Sequence, residues 1–224
     1  MTIQIADISF YQSSLDAKVM KKLLHGVILR SGQGTWEDRE FKTFRDEARR
    51  EGLPYGSYWY LDNDHSPKVQ AQKWADILGG DQPPLGCWID LEDTLPGVYS
   101  GWRYWYDAIE YFKQYHKPEK FGIYTRASYF DPIVPQSQYS YFGKHDLWVA
   151  HYYVGKPAIP KAWKEWLFWQ WTERGDGHLH GVGSHRIDLN HFNGTEDDFR
   201  KRFGISNSQM RAHFGGTQVT YRQE

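Results

Sequence analysis

Short apolar runs recur along the chain, each bounded by Gly, Pro or charged turn residues, and the early ones alternate with stretches of helical spacing. Eight runs read as strands: IQIADIS (3–9), GVILRSG (26–32), YGSYWYL (55–61), GCWIDLE (86–92), FGIYTR (121–126), DLWVAHY (146–152), WLFWQWT (166–172) and HRIDLNHF (185–192). Between the first five lie helical patterns over residues 14–24, 37–51, 67–78 and 101–116, the last with an apolar face of Trp102, Trp105, Ile109 and Phe112. Strand and helix in alternation predict a parallel sheet, and eight near-continuous apolar strands predict its closure. The expected fold is therefore α/β, a TIM-like β/α barrel. Beyond the fifth strand the connections carry Pro132, Pro135, Pro157, Pro160 and many glycines. About five regular β/α units are thus expected, followed by three strands with few or short helices.

A length of 224 residues suits one domain. Residues 1–203 are expected to form the barrel, and 204–224, which lose periodicity and turn polar, a C-terminal extension able to contact a partner. The chain is expected to be a monomer. With 27 basic against 28 acidic residues, nothing in the charge points to nucleic acid or an anionic membrane as partner. The N-terminal MTIQIADISFYQ lacks a basic segment followed by an apolar run, and no stretch is long enough to span a bilayer. Neither a signal peptide nor membrane insertion is expected. Aromatic residues make up 17% of the chain, with 11 Trp and 16 Tyr, and such side chains join a flat apolar face to a polar edge, which suits stacking on sugar rings.

Candidate chemistry narrows quickly. Cys87 is the only cysteine, so an intramolecular disulfide and a Cys-based zinc site are excluded, and its place in mid-strand marks an inert core thiol. His178, His180 and His185 lie in the Gly-rich HLHGVGSH without an acidic ligand at helical spacing; they read as surface histidines, and neither metal nor cofactor is expected. No G-x-S-x-G elbow, P-loop or G-x-G-x-x-G occurs.

Carboxylates at strand ends are the strongest signal, because parallel barrels carry their reactive groups at the C-terminal face. Asp90 and Glu92 end GCWIDLE two residues apart, so both project from one face of the strand. Asp7 lies near the end of the first strand and Asp188 inside the eighth, and these two strands are neighbours in a closed barrel. Four acids then converge on one cleft, and crowding raises the pKa of at least one, giving a proton donor at neutral pH. Paired carboxylates are the equipment of glycoside hydrolysis, where one acid protonates the leaving oxygen and another group stabilises or attacks the oxocarbenium-like centre. Tyr58 and Tyr60, Tyr124, Trp148 and Tyr152, and Gln170 sit near the ends of the third, fifth, sixth and seventh strands. Each alone is as readily core as sugar contact, but their clustering favours a sugar-lined groove.

The ordered set IADISFYQ, GVILRSGQGTWED, YGSYWYL, WIDLE, GIYTR, LWVAHY, FWQWTE and RIDLNHFNG resembles the glycoside hydrolase family 25 lysozymes, the Chalaropsis-type muramidases common among bacteriophage endolysins, over residues 3–194. The resemblance implies hydrolysis of the β-1,4 bond between N-acetylmuramic acid and N-acetylglucosamine in peptidoglycan glycan strands, with retention. Glu92 would be the general acid and Asp90 its partner on the anomeric side, either steadying an oxazolinium-like species formed by the substrate's N-acetyl group or attacking directly. Asp7 and Asp188 match the two other active-site acids, and Arg30, Tyr58, Tyr60, Tyr124, Trp148 and Gln170 match positions that line the groove. Where relatives often read Y-H-F in the third strand, this chain has Tyr58, Trp59 and Tyr60. A separate wall-binding domain is not expected. The expected lack of a signal peptide fits an endolysin held in the host cytoplasm until phage lysis machinery releases it to the wall, or a lysin carried on a virion. The alternatives are an N-acetylglucosaminidase or chitinase using the same acids, and a non-catalytic glycan-binding or virion structural protein.

Overall fold

The computed structural model describes residues 2–93 and 97–206. Most of the C-terminal extension expected from the sequence, residues 207–224, lies outside the described residues. In chain order the elements are β1 (Gln4–Ile8), α1 (Ala17–Met20), β2 (Val27–Gln33), β3 (Trp36–Glu37), α2 (Phe41–Glu51), β4 (Tyr55–Tyr60), α3 (Pro67–Leu78), β5 (Cys87–Asp90), α4 (Gly101–His116), β6 (Phe121–Thr125), α5 (Ala127–Ile133), α6 (Tyr139–Phe142), β7 (Asp146–Ala150), β8 (Phe168–Asp176), β9 (Arg186–Phe192) and α7 (Glu196–Phe203). Strands β1, β2, β4, β5, β6, β7, β8 and β9 close into a ring through the β1–β2 and β1–β9 pairings, and β3 adds a hairpin to β2. The TIM-like barrel read from the sequence is the observed fold, with long helices only among the first β/α units.

Three expectations need correction. The eighth strand is not parallel: β9 runs antiparallel to both neighbours, because only the turn over residues 177–185 joins it to β8, too short for a crossover helix. The helix expected over 37–51 begins at Phe41, since Trp36 and Glu37 pair with Gln33 and Gly32. The helix expected over 14–24 is confined to Ala17–Met20, where the Asp16 side chain caps the Val19 amide. By contrast, α3 and α4 fall on the expected residues, α3 opened by Pro67 and closed by Gly79 in the left-handed region.

Alternation along each strand divides the core into two. Outward residues such as Ala6, Leu29, Cys87, Ile89, Ile123 and Val149 pack under the helices with Trp74, Trp105 and Phe112. Inward residues Ile5, Ile28, Trp88, Trp148, Phe168 and Phe192 fill the lower barrel. The bulk of Trp88 is accommodated because β6 carries Gly122 beside it: a Cβ there would stand 2.1 Å from the indole. Gly122→Ala is expected to destabilise the fold by about 1–3 kcal/mol through overpacking, measured as a lower urea midpoint with an unchanged slope. Packing continues past α7, where Gly204 ends the helix in the left-handed region and Ile205 is buried against the Phe199 and Phe203 cluster.

Candidate active site

One step up each strand from the lower core layer, the inward positions turn polar. Asp7 follows Ile5 on β1, Arg30 follows Ile28 on β2, Asp90 follows Trp88 on β5, and Gln170 follows Phe168 on β8, each two residues on and therefore on the same face. The floor of the site is thus the roof of the barrel core, and chain direction puts it at the C-terminal ends of the parallel strands. Asp7, Tyr58, Asp90, Glu92, Tyr124, Trp148, Tyr152, Gln170 and Asp188 line one cleft there.

Glu92 lies two residues past Asp90, beyond the end of β5, yet the backbone stays extended: the Leu61 amide donates to the Asp90 carbonyl at 3.1 Å and the Leu91 amide to the Tyr124 carbonyl at 2.9 Å. The Thr125 hydroxyl donates to the Leu91 carbonyl at 2.8 Å. Pleating is carried through to Glu92, and Leu91 is turned to the helix side. Asp7 and Asp188 face each other directly across the β1–β9 pair. Oδ2 of Asp7 accepts from Gln170 Nε2 at 2.8 Å and from Asn190 Nδ2 at 2.9 Å. The Gln170 amide oxygen accepts in turn from the hydroxyls of Tyr124 and Tyr152, both at 2.7 Å, and the Asn190 oxygen from Trp148 Nε1 at 2.6 Å. Asp7 is the centre of a connected buried network that fixes its orientation.

Every acid in the cleft is pushed to hold its proton. Burial raises Asp90 well above the usual carboxylate range, Glu92 and Asp7 add to this, and the Arg30 guanidinium opposes it. Glu92 is raised by burial and opposed by Arg126, with Asp7 and Asp93 reinforcing the rise. Asp188 is raised to about 9, first by burial and then by Asp7, whereas hydrogen bonds to Asn190, Gln170 and Asp188 hold Asp7 down to about 6 against its burial. Asp7, which already accepts from two amides, and Asp188 therefore share a proton. A buried acid whose pKa is raised on folding costs stability from its unfolded pKa, near 4, upward, and the full cost applies above its folded pKa. Asp188→Asn, which can donate to Asp7 as the protonated acid does, is expected to melt above wild type at pH 8–9, with the difference shrinking toward pH 4. A melting difference that does not vary with pH would contradict this pairing.

The sequence-predicted residues divide three ways. Asp7, Asp90, Glu92, Asp188 and Tyr58 meet in the cleft as expected. Tyr124, Trp148 and Gln170 line it too, buried at its floor, where Gln170 donates to Asp7, Tyr124 donates to Gln170 and Trp148 to Asn190. Tyr60 and Arg30 are not among the residues lining the cleft. Tyr60 pairs with Asp90 in register at its edge, and Arg30 is buried behind it, its Nε 2.9 Å from Asp38 Oδ2. Nη2 of Arg30 and Oδ1 of Asp90 are buried without a hydrogen-bond partner among the described residues. Sequence reasoning passed over Asn190, Asp38 and Arg126 as site residues. Asn190 was detectable as the residue two beyond Asp188 in RIDLN, and Arg126 as the inward position after Tyr124; Asp38 has no signal before the hairpin is known. Of the histidines, His180 is buried, and His178 Nε2 lies 3.1 Å from His185 Nδ1 at the surface. No group of three or more potential metal ligands occurs among the described residues.

Chemically, the cleft offers a proton donor at its mouth, a second carboxyl on the same strand face with the Arg30 guanidinium behind the cleft favouring its ionised form, and the Asp7–Asp188 pair on the far side of the ring. Comparison with known proteins agrees with that chemistry. The chain is similar to lysozyme M1 of Streptomyces globisporus, 27% identical over 205 residues, covering 86% of this chain and 68% of the relative. Its fold matches the bacterial lysozyme of Streptomyces coelicolor with a TM-score of 0.73 at 22% identity, covering 92% of this chain and 99% of that one. It is also similar to the CTP1L endolysin, with a TM-score of 0.70 at 26% identity, covering 90% of this chain and 70% of that one. The model of glycosyl hydrolases family 25 matches residues 6–180, and the chain belongs to that family.

Proposed function

We infer that this glycoside hydrolase is a lysozyme, an N-acetylmuramidase that cuts the β-1,4 bond between N-acetylmuramic acid and N-acetylglucosamine in peptidoglycan. The observation that carries the reading is the placement of Asp90 and Glu92 on one face at the end of β5, in one cleft with Asp7 and Asp188, where burial raises Glu92 and the Arg30 guanidinium opposes the rise at Asp90. Glu92, the more accessible of the two, protonates the glycosidic oxygen as the bond breaks. Asp90, with Arg30 favouring its ionised form, faces the anomeric side; there it steadies the oxazolinium-like species formed when the N-acetyl oxygen attacks, or attacks itself. The Asp7–Asp188 pair holds sugar hydroxyls with one acceptor and one donor and keeps negative charge from accumulating beside Asp90. The likeness to the CTP1L endolysin supports a role in phage-driven lysis of the host wall.

Clearing of a suspension of purified peptidoglycan in the presence of a chelator, with release of reducing ends and without new amino groups, is the expected behaviour. Release of amino groups instead would mean cleavage of the peptide stems and would overturn the assignment.

A further inference from the structure

Trp36 and Tyr153 are exposed aromatic residues at two opposite points of the barrel mouth. Trp36 follows the turn at the C-terminal end of β2, and Tyr153 lies three residues past the end of β7. Around the ring β2 and β7 are four strands apart, as are β5 and β9, which bear the catalytic pair and Asp188. The line joining the aromatic residues therefore crosses the line of acids at the centre of the mouth.

Each platform is built before any ligand arrives. Trp36 is 40% and Tyr11 69% exposed, and both rest on the buried Arg30 guanidinium, 5.2 and 5.4 Å from their ring centres, with Phe10 at 4.8 Å. Asp38 locks this assembly, its Oδ2 accepting from Arg30 Nε at 2.9 Å and from the Phe10 amide at 3.1 Å. Tyr153 is 58% exposed, although its ring has the Arg174 guanidinium 5.0 Å from its centre and its hydroxyl donates to Glu173 at 3.2 Å. Its φ of 59° is left-handed, a costly conformation for a bulky aromatic residue, and it directly follows Tyr152 of the cleft. The left-handed backbone is held at a cost that glycine would not incur, and it presents a ring, steadied by Arg174 and Glu173, to solvent beside the active site.

Building on the muramidase reading, we propose that Trp36 with Tyr11 and Tyr153 are the outer sugar platforms of one groove, stacking on N-acetylhexosamine rings beyond the two that flank the scissile bond. The strand lies across the mouth from the β2–β3 hairpin to the β7–β8 loop, over Asp90 and Glu92. The enzyme is accordingly built to act within long strands.

The test compares kcat/KM on long glycan strands freed of stem peptides with that on a tetrasaccharide of two repeat units. Two variants serve: Trp36→Leu, which keeps apolar cover over Arg30, and Tyr153→Gly, which relieves the left-handed backbone. Each is expected to lower the preference for long strands about tenfold, through KM rather than kcat. Combined, their effects multiply, because the two sites do not touch. Tyr153→Gly should melt at or above the wild-type temperature, so its defect cannot be assigned to unfolding. A preference unchanged in both variants, or an equal loss on both substrates, would overturn the proposal. A wild type that cuts neither substrate overturns the muramidase reading itself, and the platforms with it.

Discussion

Glu92→Gln is expected to lower turnover of peptidoglycan by roughly 10²–10⁴-fold while leaving melting temperature and glycan binding close to wild type. The substitution keeps the shape of the side chain and removes one proton that must be donated as the glycosidic bond breaks. Binding should survive because the cleft is formed by many other groups, and stability should survive because Glu92 makes none of the hydrogen bonds that fix Asp7. The pH profile adds a second readout. Burial raises the Glu92 pKa, so the proton is retained above the ordinary carboxylate range and activity falls on the alkaline side as it leaves. Turnover near wild type in Glu92→Gln would remove Glu92 from the role of acid.

The second large effect is expected at Asp90. Asp90→Asn should reduce kcat by about 10²–10³-fold or more, as loss of a charge aimed at the developing cation. Here stability should move the other way: the ionised carboxylate is buried beside Glu92 and Asp7, and a neutral amide of equal size removes that cost. Because Asp90 is raised, the gain over wild type grows as pH climbs from the unfolded carboxylate value near 4 and vanishes below it. A variant that loses activity and gains thermal stability at neutral pH is the signature of a group retained for chemistry. Loss of both would mean that the Arg30 guanidinium needs Asp90 as its structural counter-ion in addition to Asp38.

Much of this organisation is written in the pattern of apolar positions. The barrel strands announce themselves because most of their positions are buried on both faces, outward against the helix layer and inward against Trp88, Trp148 and Phe168, with β8 and β9 the more exposed of the ring. The same spacing of two places Asp7 above Ile5 and Asp90 above Trp88, so convergence of the acids follows from strand periodicity plus closure. Direction is different. The apolar run of the last strand does not state its direction; the shortness of the 177–185 connection, which leaves no room for a crossover helix, does. Side-chain partnership is also invisible at this level. Arg30 reads as a groove residue, yet Asp38, delivered by a two-residue strand that no periodicity marks, draws it behind the cleft. Gln170 and Trp148 line the cleft, and their second task, bracing Asp7 directly or through Asn190, is likewise visible only in the structure. The strain at Tyr153 belongs to the backbone alone and leaves no trace in composition.

The central claim is that Glu92 drives cleavage of the muramyl bond, and the sugar left at the new chain end reports it most directly. Purified peptidoglycan is digested, the new ends are reduced with borohydride, and the reduced sugar is identified by mass spectrometry with Glu92→Gln alongside. Reduced muramic acid from the wild type, and almost none from the variant, is the predicted result. Reduced glucosamine would reassign the enzyme to the other bond, and equal amounts from both proteins would contradict the role given to Glu92.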